Sequence, residues 1–339
     1  MERKLASIQC IYSIDDIPGA DNIQVATVKG WKLVVKKGEF EVGDNAIYCE
    51  IDSFLPIRGE FEFLRKSSYK KMGDQEGFRL RTIKLRGQVS QGLLLPISIL
   101  LDKIYADQYK ALKIGDDVSE ALGILKYEPP IPAELSGVMK GGFPNFIPKT
   151  DEERIQNLTE VYPNFRKSNF YVTEKLDGSS ATFYINNGVF GVCSRNIDLL
   201  ESEGNSFWKV ARQLKLEEKM KESEKNICLQ GELIGEGIQG NPYKLKGQHV
   251  YFFNAFDIDE QRYLSLNEFA EIMEWFELET VPFVFNDYSI PETIDELLSF
   301  AEGKSILNPN AEREGLVIRN HARTISFKVI SNKFLLKQE

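Results

Sequence analysis

The chain has 339 residues, 42% hydrophobic and 27% charged, the balance of a globular protein with room for two cores. A net charge of −9 argues against a general nucleic-acid coat, and no apolar run reaches the roughly 20 residues that span a bilayer. Two histidines, His249 and His321, and four scattered cysteines are too few for a histidine triad, a zinc ribbon or a disulfide framework, so lysines and carboxylates must carry any chemistry.

The opening stretch "MERKLASIQCIYSIDDIPGA" has no continuous apolar signal region, and a cytoplasmic protein is expected. Residues 1–100 read as β-rich. "IQVATVKG", "WKLVVKKG", "NAIYCEIDSFLPI", "FRLRTIKLRG" and "QGLLLPI" are rich in β-branched and aromatic residues and are parted by Gly, Asp or Asn breaks. About five strands in that length suit a small closed barrel of the OB type, with an SH3-like barrel or a small sandwich as the other options. Phe78–Arg79–Leu80–Arg81 alternates apolar and basic residues, which puts both arginines on one face of a strand. From Arg65 to Arg86 there are eight basic and two acidic residues. Such a run is either a solvated face or a surface for single-stranded nucleic acid.

A short helix is expected around "LLDKIYADQYKAL". Residues 127–150 hold five prolines and no hydrophobic period, and read as a linker between a first domain over 1–126 and a second over 151–339. The second domain reads as mixed α+β with antiparallel hairpins. Thr150 and Glu153 mark a helix start at "TDEERIQNL". "FYVTEKL" and "SATFYI" are strands, and Asn186–Asn187–Gly188 turns the chain into "VFGVCSR". "NSFWKVARQLKLEEKMKESEK" has the period of one amphipathic helix. "NICLQGELIG" and "HVYFFNAFDI" are strands, Ser265 and Glu268 cap the helix "SLNEFAEIMEWFEL", and "GLVIRN" and "TISFKVI" are the last strands.

Charged residues recur at the ends of these strands: Lys175 and Asp177, Arg195, Glu232, Glu314, and Lys328 within "ISFKVI". Each alone reads as a solvated or structural charge. Together they are costly to place on apolar strands unless they are paired or hold a ligand.

In order, "EKLDGSS", "SRN", "GELIG", "FFNAFDI", "EGLVIR" and "ISFKVISNKF" resemble the six motifs of the covalent nucleotidyltransferases, which include DNA ligases, RNA ligases and mRNA capping enzymes. The resemblance spans residues 171–334. DNA ligases and capping enzymes carry an OB domain after the last motif, whereas here the OB-like module comes first and six residues follow Lys333. That order, with "RTIKLRGQVSQGLLLP" ahead of the linker, resembles the Naegleria-type RNA ligases. The resemblance implies an N-terminal OB module that binds RNA and a ligase domain over 151–339. The activity implied is ATP-dependent joining of RNA 3′-hydroxyl and 5′-phosphate ends, as in RNA repair, by a monomer.

The resemblance also implies roles. Lys175 is the nucleophile that takes AMP from ATP. The Glu174 backbone selects adenine, and Phe253 stacks on it. Gly178 brings the chain close to the nucleotide. Arg195 holds the ribose or the incoming phosphate, and Glu232 the ribose hydroxyl. Asp177, Glu232 and Glu314 place Mg²⁺ or Mn²⁺ through waters. Lys328 binds the α-phosphate, and Arg154 reaches the triphosphate. Relatives often carry a second lysine where this chain has Ile330, and Lys333 is out of phase with it.

The chemistry of the residues is consistent with these roles. A lysine of ordinary pKa, about 10.4, is protonated at neutral pH. Nearby positive charge, from Lys328, Arg195 and a bound divalent cation, is expected to lower it. Carboxylates are hard ligands for Mg²⁺ or Mn²⁺. A DNA ligase of the same superfamily and a non-catalytic RNA-binding protein on a degenerate ligase fold remain as alternatives at this point.

Overall fold

The computed structural model describes residues 3–128 and 139–337. The chain divides into two compact units, one on residues up to 130 plus Gln156–Thr159, the other on 131–155 and 160–337.

The first unit contains Ala6–Cys10 (β1), Ser13–Asp16 (β2), Ile23–Val28 (β3), Trp31–Lys36 (β4), Asn45–Cys49 (β5), Ser53–Pro56 (β6), Tyr69–Met72 (β7), Gln75–Arg79 (β8), Thr82–Leu85 (β9), Gln88–Gln91 (β10), Leu93–Pro96 (β11) and Leu125–Lys126 (β12). They pair in the orders β1-β5-β11, β2-β3-β4, β12-β6-β8-β7 and β10-β9. The strands are shorter and more numerous than their runs suggest. Asp52, at φ +66°, ends "NAIYCEI", and Gly92, at φ +115°, divides "QVSQ" from "LLLP". Strand β5 is buried on both faces: Ile47 and Cys49 enter a core with Ile8, Leu55 and Phe78, while Ala46 and Tyr48 enter one with Val28, Trp31 and Leu33. The expected helix is present as Ala106–Ala111.

Phe78–Arg79–Leu80–Arg81 does not form one open basic face. Strand β8 ends at Arg79, whose guanidinium pairs with Asp52 at 2.7 Å and lies over the Tyr127 ring at 4.4 Å. The backbone of Leu80 turns inward, donating to the Ser53 carbonyl at 2.9 Å and accepting from the Asp52 amide at 2.8 Å. Exposed basic residues remain on the β9–β10 hairpin, at Lys84 and Arg86. Gln156–Thr159 belongs to this unit for a local reason. The Trp31 indole donates to Asn157 Oδ1 at 2.6 Å, and Asn157 Nδ2 donates to Glu50 at 3.0 Å.

The second unit contains Met139–Gly142 (β13), Phe170–Lys175 (β14), Ser179–Asn186 (β15), Val189–Cys193 (β16), Ile197–Leu199 (β17), Ile227–Gly235 (β18), Gln248–Asp257 (β19), Arg262–Tyr263 (β20), Phe283–Tyr288 (β21), Gly315–Asn320 (β22) and Ser326–Ile330 (β23). One sheet has the order β13-β17-β16-β15-β18-β19-β20, the other β21-β14-β22-β23. Part of the expected linker is therefore strand β13, and residues 129–138 of it lie outside the described residues.

The helix expected at Thr150 does not form. The Glu153 carbonyl accepts the Lys328 amide at 2.8 Å, and Arg154 bridges to Lys328 in parallel, so β23 takes the backbone groups a helix would need. The Thr150 hydroxyl bonds Ser180 at 2.7 Å instead of capping, and a short 3₁₀ turn follows at Ile155–Asn157. The single amphipathic helix is two, Ser206–Gln213 and Leu216–Glu222, broken at Lys215 with φ +54°. The Ser265–Glu268 capping box forms on Leu266–Trp275, and Asn187 and Gly188 make a left-handed hairpin turn.

Alternation in β18 sorts its residues. Leu229 and Leu233 join the main core with the helices, whereas Gln230 and Glu232 face the other way, Gln230 donating to the Pro148 carbonyl at 2.7 Å. Among the described residues no helix is long and apolar enough to cross a membrane.

Candidate active site

The chain leaves the four-stranded sheet at Lys175 and enters the seven-stranded sheet at Ser179. The turn between them is pinned by Leu176, buried with Ile234, Tyr243 and Val281. A Cβ at Gly178 would meet the Leu233 carbonyl at 2.4 Å and Ile234 Cγ2 at 2.6 Å. Glycine is needed there because the turn lies directly on β18.

Four of the expected residues meet in one electrostatic neighbourhood. Lys175 Nζ lies 2.7 Å from the carboxylate of Glu314, which directly precedes β22, and Lys175 pairs across the ladder with Gly315. Glu232 and Asp177 are its other acidic neighbours. Burial alone would lower the lysine, but Glu314, Glu232 and Asp177 together hold it above its ordinary value. Without a cation bound, this differs from the lowering that Lys328 and Arg195 alone are expected to supply. The charges that act on Lys175 are those of Glu314, Glu232 and Asp177, and Arg195 is drawn to Asp151 at 2.6 Å, with its side chain 55% exposed. Arg195 still acts on Glu232, lowering its pKa slightly.

Asp177 and Glu232 are both pushed upward. Burial, then the charge of Glu314, raises Asp177 to about 6. Glu232 is raised to about 8, by burial first and then by Glu314 and Asp177, against the pull of Lys175. The folded chain therefore keeps a proton on Glu232 at a pH where the unfolded chain, with its ordinary 4.5, has lost it. That contribution to stability is full at low pH and is lost as pH rises through about 8. Glu232→Gln should accordingly raise the melting temperature at about pH 8 by a few degrees and flatten the decline from about pH 5, at roughly 1.4 kcal/mol per pH unit at most. Thermal unfolding of the nucleotide-free protein across that range checks this; parallel curves for wild type and variant would refute it.

Glu174, 1% exposed, accepts the Ile306 amide on Oε2 at 2.7 Å, and burial raises its pKa. Phe253 owes its place to a bulge in β19. Gly231 pairs with Phe252 and Gln230 with Asn254, so Phe253 is the extra residue. It packs beside Leu176, Ile234 and Tyr243, and the Arg319 guanidinium lies 5.6 Å from its ring. Lys328 stands opposite Val317 on β22, with the Arg154 backbone alongside. Ile330, two residues on, is 3% exposed, and Lys333 pairs with Glu302 at 2.8 Å.

Sequence reasoning missed three residues. Tyr243 accepts the Asp177 amide on its hydroxyl at 2.5 Å. Arg319, 2% exposed, reaches Glu152 at 3.1 Å and the Thr173 hydroxyl at 3.2 Å. Asn308 donates to the Pro242 carbonyl at 2.8 Å. Only Arg319 left a signal, as a cation inside the apolar run "GLVIRN".

Comparison with known proteins gives matches over both units. A family model described as RNA ligase matches residues 168–335, and one described as an OB-fold domain matches residues 5–97. An apo mutant of Naegleria gruberi RNA ligase is 43% identical, covering 98% of this chain and 97% of that chain at a TM-score of 0.91. A mutant of the same ligase with ATP and Mn is 42% identical over 99% of each chain, at 0.91. The ligase with PPi is 43% identical over 98% of each chain, at 0.89. No curated protein matches the sequence.

Proposed function

We propose, on the premise that this chain belongs to the RNA ligase family, that it is an ATP-dependent enzyme joining RNA 3′-hydroxyl to 5′-phosphate ends through an AMP carried on Lys175. The observation that carries the reading is the meeting of Lys175 with Glu314, Glu232 and Asp177 at the turn where the chain changes sheets.

The Lys175 amine attacks the α-phosphorus of ATP, the bond to pyrophosphate breaks, and a lysyl phosphoramidate remains. An oxygen of the RNA 5′-phosphate then attacks that phosphorus, the P–N bond breaks and the amine is freed. The RNA 3′-hydroxyl finally attacks the 5′-phosphorus and AMP leaves. Glu174 lines the adenine end with its backbone, Phe253 stacks on the base, and Glu232 holds the ribose hydroxyl. Gly178 lets the turn lie low beside the nucleotide, and Arg195 meets the ribose or the incoming phosphate. Lys328 neutralises the α-phosphate. With Ile330 in place of a second lysine, we assign the neighbouring Arg154 as the other positive group for the phosphates.

Among the described residues no three side chains converge to hold an ion directly. A carboxylate set of this kind, all oxygen donors and mutually repelling, fits a divalent cation held through waters at Asp177, Glu232 and Glu314. Mg²⁺ or Mn²⁺ there would neutralise the charge that keeps Lys175 protonated and that of the phosphates.

The OB domain is proposed to bind RNA through Lys84 and Arg86 on the β9–β10 hairpin. The four free cysteines fit a reducing cytoplasm, and the chain is proposed to act as a monomer. Nicked duplexes test both levels of the proposal. Sealing should be faster with RNA than with DNA at the 3′-hydroxyl side. Replacing Lys84 and Arg86 by alanine should weaken RNA binding, reduce its salt dependence by about one phosphate per residue, and leave AMP transfer to Lys175 intact. Equal or better sealing of DNA ends would refute the substrate assignment, and unchanged RNA binding would refute the role of the hairpin.

A further inference from the structure

We propose that Tyr243 is a positioning residue that holds the Lys175–Gly178 turn, and Asp177 with it, in the geometry the AMP-transfer step requires. The inference rests on the ligase reading above and adds a residue and a mechanism to it.

Tyr243 lies on the connection between β18 and β19, 5% exposed, with its ring among Leu176, Ile234 and Val281. Its hydroxyl accepts the Asp177 amide. That amide falls between β14 and β15, where neither sheet's ladder can serve it. The phenol oxygen thus supplies the hydrogen bond that a strand would otherwise give.

The loop carrying Tyr243 is itself fixed. Asn241 closes it, donating to the Leu245 carbonyl at 2.8 Å and accepting the Leu245 amide at 3.1 Å. Asn308 ties the adjacent Pro242 carbonyl to the 305–308 segment, and Ile306 of that segment donates to the Glu174 carboxylate at 2.7 Å. A closed circuit results. It runs from Glu174 through Ile306 and Asn308 to Pro242 and Tyr243, and back to Asp177. The two ends of the circuit flank Lys175, so the nucleophile is clamped from both sides. Misplacing a reacting group by about 1 Å costs on the order of 100-fold in rate, which makes such a clamp consequential.

Tyr243→Phe removes one oxygen and keeps the ring that packs the turn. With full-length protein, ATP and Mn²⁺, single-turnover AMP transfer to Lys175 should slow about 10- to 100-fold at saturating ATP, with half-saturating ATP changed less than about threefold. Thermal unfolding and Asn308→Ala separate clamping from loss of fold. Asn308→Ala leaves the phenol in place but loosens its loop, and should slow the same step about 3- to 10-fold. In an Asn308→Ala background the Tyr243→Phe effect should be clearly smaller than in the wild type, because Asn308 acts through the loop that carries the phenol. A Tyr243→Phe rate within twofold of wild type overturns the proposal, as does a fully multiplicative double variant. Wild-type protein that takes no AMP at all would sink the ligase reading first, and this proposal with it.

Discussion

Lys175→Ala will carry no AMP after incubation with ATP and Mg²⁺ or Mn²⁺, while the wild-type chain gains the mass of one AMP. Sealing of a nick with a 5′-phosphate should fall by at least about 10³-fold, since the covalent step is assigned to the Lys175 amine. The same variant should still seal a strand supplied with its 5′-phosphate already adenylated. In that last step the amine forms no bond, and the work falls to groups around the phosphates and the 3′-hydroxyl. Removing the lysine also takes away the cation that holds down the pKa of Glu232. The variant's melting curve must therefore be shown to match a folded protein. An AMP adduct on the alanine variant would refute the assignment of the nucleophile. An equal loss on the adenylated strand, in folded protein, would refute the division of steps.

Glu314→Gln sets two effects against each other. The carboxylate is the strongest charge keeping Lys175 protonated, so neutralising it frees more of the amine. If that were its whole role, the variant would transfer AMP faster at neutral pH. Glu314 also belongs to the set assigned to the hydrated cation, and loss of such a group typically costs 10- to 100-fold in metal affinity or activity. We expect the second effect to win, with AMP transfer slowed about 100-fold and partly recovered by raising Mn²⁺. A rate at or above wild type, or no response to added metal, would show that Glu314 serves only as an ion-pair partner of Lys175.

The strands that carry the site were legible because their apolar runs end in charges. "NICLQGELIG" and "GLVIRN" fall within a residue or so of their observed bounds. The sign of the electrostatics was not legible. Which charges surround Lys175 depends on the strand pairing that brings Glu314, 139 residues away in sequence, beside it, and Arg195 turns toward Asp151 instead. Thr150–Glu153 has the spacing of a helix cap, yet the backbone of that segment pairs with β23, so tertiary hydrogen bonding overrode a valid local signal. Tyr243 was hidden for another reason. "IQGNPYKLKG" is loop by every local criterion, and its tyrosine acquires meaning only when the loop folds back on the turn at Asp177.

The bulge at Phe253 divides β19 into two reading frames. Before it, Val250 and Phe252 point into the main core; after it, Ala255 does, and Asn254 is released to the opposite face beside Gln230. Insertions and deletions should therefore be tolerated very unevenly across this region. The connection at residues 236–247 can change length outside its anchored residues, but loss of one residue from 250–254 would realign the strand. It would turn Phe253 away from Leu176 and drive a polar side chain into the core. The distance along the chain from Glu232 to the bulge can drift over evolutionary time, whereas the few residues around the bulge cannot.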